Sequence, residues 1–220
     1  MNHSTEQHSD KHPKQDFQVE RLAFFSDAVF AIAITLLVIE LKVPHFTNDT
    51  TYQDVLKDLK ELKFQFFALI LSFSIIANYW LKHHLLFKHI HNYNEDVVKY
   101  NLIVLLPIIF FPFTTAFVYE NLTHLDIIII PFRLILANNI FASFATYFLY
   151  WIVTVKHKHL SYPMEKKDKE SFTQKLLWTG ISFTIIFAFT FFLPFEYATL
   201  GVIPLVIVNL KRKFFPSHKK

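Results

Sequence analysis

Residues 21–41 read RLAFFSDAVFAIAITLLVIEL, and this stretch decides the fold class. An apolar segment of about 20 residues is long enough to cross a bilayer as a helix. This one nonetheless carries Arg21, Ser26, Asp27, Thr35 and Glu40. An uncompensated Arg or Asp at the bilayer centre costs roughly 2.5–3.5 kcal/mol on insertion scales. Charges and hydroxyls in such a segment therefore need partners on neighbouring helices.

The rest of the chain has the same character. It has 220 residues, of which 53% are hydrophobic, with 27 Phe and only 2 Gly. Soluble domains are nearer 45–50% apolar, and the excess here is gathered into blocks, so the class is a polytopic all-α membrane protein. With no Cys, disulfides and thiolate metal sites are excluded. Residues 1–18 are polar, and the first apolar run is too long and too polar at its start for a cleaved signal, so it reads as a retained helix.

Six segments are candidate spans: Leu22–Leu41, Phe64–Leu81, Leu102–Tyr119, Leu134–Val155, Leu176–Leu193 and Tyr197–Leu210. The sixth is short for a span of about 17–25 residues, and Pro194, Phe195 and Glu196 supply a tight turn before it. Charge decides its reading. With a cytoplasmic N-terminus and six crossings, most of the 22 Lys and Arg fall inside, in the Lys156–Lys175 loop and the Lys211–Lys220 tail above all. Lys42, Lys57, Lys60 and Lys63 fall outside. This bias satisfies the positive-inside rule with both termini cytoplasmic.

Two further stretches bear on organisation. In the first outer loop Val55, Leu59, Leu62 and Phe66 recur at helical spacing between charged residues, as in an amphipathic helix at the outer surface or leading into span two. Arg133 is placed near the outer boundary, where it can snorkel or meet Asp126 or Glu120.

A helical wheel divides the first segment. With Ile32 at the centre of one face, Phe25, Ala28, Leu36, Ile39 and Val43 fall within about 40° and Thr35 within about 60°. Arg21 lands on the same stripe, and Asp27 on roughly the opposite side. One face is thus bulky and aliphatic, interrupted by a hydroxyl that can bond back to the carbonyl of residue 31. Such stripes commonly face lipid or a packing partner. The other face carries a carboxylate that must meet a neighbour. Partners of the right depth lie on span two, whose inner end reads NYWLKHHLLFKHIH. Trp80 shares a face with His83 and His84, presenting indole and imidazole together.

These residues resemble the transmembrane protein 175 family of potassium channels in its prokaryotic six-helix form. The pattern R-x-x-x-F-S-D is present as Arg21, Phe25, Ser26 and Asp27, and AIAITLLVIEL continues it. Trp80, His83, His84 and Phe87 match W-x-x-H-H-x-x-F, and the third span opens on Asn101-Leu102 and carries Pro112-Phe113. The motifs cover about the first 120 residues. The resemblance implies a homotetramer in the cell membrane, bacterial plasma membrane, with one pore lined by the first helix of each subunit. Ile32 would form the narrow aliphatic ring, a hydrophobic gate. Thr35 would add a hydroxyl layer one turn outward, and Leu36, Ile39 and Val43 would continue the wall. Arg21, Phe25, Ser26 and Asp27, with Trp80, His83 and His84, would form a structural polar network. It divides the chain into a flexible polar tail over 1–20, a channel domain over 21–210 and a basic cytoplasmic tail over 211–220.

Physical chemistry accords with that implication. No TVGYG sequence is present, and Gly180 and Gly201 lie far downstream, so a carbonyl-ring filter is excluded. Selectivity for K⁺ over Na⁺ would come from side chains and pore width. The implied activity needs no cofactor, no catalytic residue and no resident metal, only the lipid bilayer and a permeant monovalent cation. Two other classes fit the residues less well. His83, His84, His89 and His91 form too small a cluster for a histidine-box oxygenase, and read better as a solvated inner surface. A proton- or cation-coupled secondary transporter would use Asp27 as a relay, but expects broken half-helices, and Gly is scarce. The basic loop and tail read as topogenic and lipid-facing rather than as nucleic-acid-binding.

Overall fold

Thr51 opens the longest helix. Its hydroxyl accepts from the Asp54 backbone N–H at 3.3 Å while the Asp54 carboxylate accepts from the Thr51 N–H at 2.9 Å, a reciprocal cap. From that start the chain stays helical for 36 residues. The computed structural model describes residues 13–122 and 127–192. Within them the protein is all-α. The helices are α1 (Pro13–Ile39), α2 (Tyr52–Phe87), α3 (Glu95–Glu120), α4 (Ile129–Trp151) and α5 (Lys166–Phe189). Each is long and apolar enough to cross a membrane.

These five helices take up the first five expected spans. The sixth, Tyr197–Leu210, lies outside the described residues, as do the turn before it and the tail after it. Helix boundaries differ from expectation in two places, both in α1, while the first-loop stretch leads into the second span as one of its two readings expected. Helix α1 starts at Pro13, so residues 13–20 are helical rather than part of a tail over 1–20. Pro suits a first helical turn, whose N–H groups have no partner in the helix. Helix α1 also stops at Ile39, two residues early, leaving Val43 in an extended segment beyond it. The amphipathic stretch of the first loop is the opening of α2 itself. At 1.5 Å per residue α2 is about 54 Å long, against a hydrocarbon core of about 30 Å. Its first turns therefore project from the membrane.

Helix α3 is the most deeply buried of the five and packs against α1, α2 and α4. Asn94 caps it, accepting from the Val97 N–H at 3.1 Å, and Glu95 and Asp96 place negative charge on the first turn, where the helix dipole favours it. Pro107 and Pro112 lie inside it. Each removes one intrahelical donor, and Asn138 of α4 donates to the Pro107 carbonyl at 3.0 Å. Two apolar clusters flank the bundle's polar layer. Phe30, Leu37, Ile76, Ile108 and Phe111 form one, toward the end where Lys42 pairs with Glu120 at 2.9 Å. Leu86, Val97, Leu149, Val153 and Leu176 form the other, toward the basic end.

The basic end is closed by loop pairing. The His91 N–H donates to the Leu160 carbonyl at 3.1 Å and the Tyr162 N–H to the His89 carbonyl at 2.8 Å, so the α2–α3 and α4–α5 connections run antiparallel to each other. Helix α4 finishes in one π-helical turn over Ile152–Lys156, with the His157 N–H reaching five residues back to Ile152. That turn brings Lys156 and His157 to Asp96, at 2.7 and 2.9 Å.

At the other end Arg133 finds a partner other than Glu120. Glu120 is engaged by Lys42. Arg133 donates to the Thr190 hydroxyl at 3.0 Å and carbonyl at 2.6 Å, with its guanidinium 4.0 Å from the Phe191 ring centroid. It thus caps the carboxyl end of α5, a stronger use of a cation than snorkelling. Asp126, the other expected partner, lies outside the described residues.

Helices α4 and α5 approach closely at Gly180. A Cβ there would sit 3.3 Å from the Ser143 Cβ and 3.5 Å from the Phe144 ring. Small residues at such crossings let helices pack without a hydrophobic drive from water. Gly180→Leu is expected to force the two helices apart and cost about 1–3 kcal/mol by overpacking. A thermal melt of detergent-solubilised protein checks this, with Gly180→Ala expected to shift the midpoint far less.

Candidate functional site

One helix carries the candidate site, and its two faces are built differently. On the inward face of α1, Ser26, Phe30, Ala33 and Leu37 are buried. They recur at three- and four-residue spacing, as one face of a helix must. Ser26 links α1 to two other helices through a chain of hydrogen bonds with a defined direction. The buried His83 ring lies 2.7 Å from Asn101 Oδ1 through Nε2. The Asn101 amide nitrogen donates to the Ser26 hydroxyl at 2.9 Å. Ser26 donates in turn to the Leu22 carbonyl at 2.9 Å. Because the amide oxygen only accepts, Nε2 of His83 carries the proton. Helices α2, α3 and α1 are tied in that order.

Asp27 is held separately. The Trp80 indole N–H donates to Asp27 Oδ1 at 2.8 Å, and the His84 ring lies against Trp80 with centroids 5.5 Å apart. The structure brings Asp27 and Trp80 together, but neither His83 nor His84 hydrogen-bonds to the carboxylate. His83 is taken by Asn101 and stacks on Phe87 at 4.3 Å. Asn101 is the member that sequence reasoning did not assign. Its signal was an amide within an otherwise apolar stretch, which demands a partner wherever it is buried. Arg21 and Phe25, grouped with this network in the sequence, lie instead on the exposed side.

The outward face holds the aliphatic stripe. Arg21, Phe25, Ala28, Ile32, Thr35 and Ile39 are all exposed in the single chain. Ile32 is 57% and Ile39 74% exposed, high for large apolar side chains in an ordered helix. Leu36, at the stripe's edge, is half-buried. Val43 is exposed but stands past the end of α1, so it does not continue the helical wall. The Thr35 hydroxyl donates to the Ile32 carbonyl at 2.9 Å rather than to residue 31. The Thr35 side chain is exposed.

Among the described residues no three His, Asp or Glu side chains gather as metal ligands. The features that recur around α1 are polar ties on one side and an unpartnered stripe on the other.

The sequence profile of the family described as "Endosomal/lysosomal potassium channel TMEM175" matches residues 21–112, which hold most of α1, all of α2 and the first part of α3. Over those residues the chain is similar to the TMEM175 family. It is 37% identical over 112 residues to a potassium channel of Chamaesiphon minutus, covering 51% of this chain and 54% of that protein. A potassium channel of a Chryseobacterium species is 36% identical over 98 residues, covering 44% of this chain and 47% of its own. The chain thus spans about half the length of the curated relatives it matches.

Fold similarity extends further than sequence similarity. The crystal structure of a lysosomal potassium-selective channel TMEM175 homolog from Chamaesiphon minutus superposes with a TM-score of 0.73 at 24% identity, covering 89% of this chain and 98% of that one. A variant of the potassium channel MtTMEM175 gives 0.59 at 18% identity, covering 88% and 92%. The TMEM175 fold is therefore shared by the later helices, which the sequence motifs do not reach. The protein is a multi-pass membrane protein.

The polar chain predicts a specific instability. Asn101→Leu removes both of its bonds and leaves the buried His83 N–H without an acceptor, at a cost of about 1–3 kcal/mol. The melting midpoint in detergent should fall accordingly. Ser26→Ala should cost less, because Ser26 also spends its proton on its own helix. A wild-type midpoint for Asn101→Leu would show that the chain of bonds does not hold the helices.

Proposed function

We propose that the protein is a potassium-selective leak-type channel of the cell membrane, assembled from four copies. The observation that carries this reading is the division of α1. Its buried face and its ties to α2 and α3 fix the rotation of the helix, and that rotation turns Ile32, Thr35 and Ile39 away from the subunit's own core. Four such stripes around an axis bury each other and enclose a path. The relatives' description as potassium channels supports the same reading.

In that assembly the Ile32 side chains form an aliphatic constriction, which opposes ion passage by excluding water. The Thr35 hydroxyls form a polar layer one turn outward. Each spends its proton on the Ile32 carbonyl, which leaves the oxygen as an acceptor able to replace part of a cation's hydration shell. Leu36 and Ile39 continue the wall. Arg21 stands at the entrance of the same stripe. The excess of Lys around residues 156–175 supports a cytoplasmic position for the basic end. The five described spanning helices are unbroken across their apolar lengths, which favours a channel over a transporter built on unwound half-helices.

Two substitutions test the proposal in planar bilayers holding purified protein. Ile32→Asn is expected to raise single-channel conductance severalfold and to reduce discrimination between K⁺ and Na⁺. Thr35→Val is expected to move the reversal potential under bi-ionic K⁺/Na⁺ conditions toward zero with the current preserved. If neither conductance nor reversal potential changes in these variants, α1 does not line the pore.

A further inference from the structure

The π-helical turn that ends α4, the short return over residues 158–164 and the first turns of α5 enclose a cleft of about 300 Å³ at the basic end. Lys158 from the return and Lys169 from α5 line it, together with the hydroxyl-bearing Thr154, Ser161 and Tyr162. Among the described residues no carboxylate lines it. Among the described side chains neither ammonium is in an ion pair.

The cleft is built rather than incidental. Thr154 donates to the Tyr150 carbonyl at 2.8 Å and Ser161 to the Val153 carbonyl at 3.3 Å, so both hydroxyl protons are spent on α4 and its π turn. The Tyr150 hydroxyl reaches the Lys169 carbonyl at 3.4 Å, holding the start of α5 against α4. The return strand is fixed by the Tyr162 N–H donating to His89 at 2.8 Å. Two lysines thereby share one concavity, and no ion pair among the described side chains neutralises them, an arrangement that favours an anion.

Its position identifies the anion's source. Trp151, Val155 and Tyr162 are exposed beside the cleft, and Trp178 is exposed further along α5. Aromatic side chains with one polar end mark the level of lipid headgroups. A basic concavity between spanning helices at that level suits a phospholipid headgroup. The volume is at the small end of the roughly 300–1,000 Å³ of ligand pockets, so it takes a headgroup while the acyl chains lie along the apolar surface. We propose that this cleft binds the phosphate of an anionic phospholipid in the leaflet on the basic side. The site is separate from the α1 stripe, and it stands whether or not that stripe lines a pore.

The test titrates dioctanoyl-phosphatidylglycerol into detergent-solubilised full-length protein and reads Kd by microscale thermophoresis. Saturable binding is expected, weakened about fivefold by Lys158→Gln or Lys169→Gln and on the order of thirtyfold by both, as expected for lysines near an anionic surface. Lys158→Arg with Lys169→Arg should retain it. Lys88→Gln with Lys175→Gln removes equal charge from the same end outside the cleft and should leave Kd within twofold. Dioctanoyl-phosphatidylcholine should bind at least tenfold more weakly, and glycerol phosphate should not compete at matched concentration. Three results overturn the proposal. An equal loss in the Lys88/Lys175 pair means diffuse charge attraction. An unchanged Kd in the Lys158/Lys169 pair means binding elsewhere. Full competition by glycerol phosphate means a soluble phosphate site with no role for the lipid.

Discussion

Hydrocarbon offers no hydrogen bonds, so each polar group placed in it must be answered from within the protein. That constraint organises this fold around His83, Asn101 and Ser26. Three helices each contribute one polar residue to the layer, and the two apolar clusters close over it on either side. Once Ser26 must meet Asn101 and Asp27 must meet Trp80, α1 has little rotational freedom left. The face that looks away from the bundle follows from where these polar residues stand in the sequence. A helix of uniform Leu would have no such preference, because lipid tails are as apolar as its neighbours.

The two ends of the bundle are secured by different means. At the basic end two connections pair through their backbones, and Asp96 holds Lys156 and His157. At the other end Arg133 caps α5, Lys42 reaches Glu120, and the Tyr119 hydroxyl donates to the Glu40 carbonyl. Helix α1 shares in the second group only through the segment that follows it. The α2–α3 and α4–α5 connections are thus joined directly, while α1 is held mainly along its flank.

Much of this was legible in the sequence because a membrane simplifies the reading. Length and hydropathy locate spans with few competing solutions, and five expected segments coincide with five helices. The polar residues of the first span announced partners, and Trp80 lay at the right depth for Asp27. Less legible was which partner each would take. His83 and His84 share a helix face with Trp80, and spacing alone cannot say that one turns toward α3 and the other toward the surface. Asn101 became assignable only when α3 was seen packed between α1 and α2. Arg133 was hard to read for a related reason. Its partners are a hydroxyl and a carbonyl at the end of α5, some 57 positions away, and carbonyls carry no mark in a sequence. The π turn was equally invisible, since one extra residue in a helical turn leaves the hydropathy pattern unchanged.

The direction of the hydrogen-bond chain has a consequence for charge leakage. From His83 through Asn101 to Ser26 and the Leu22 carbonyl, each link passes from donor to acceptor in one sense. The middle link is a carboxamide, which donates from nitrogen and accepts at oxygen and does not exchange those roles. A row of hydroxyls, imidazoles or waters at this depth could hand protons along by turning over. With an amide in the middle, this row does not relay protons by turning over: it fastens three helices without itself serving as a proton wire.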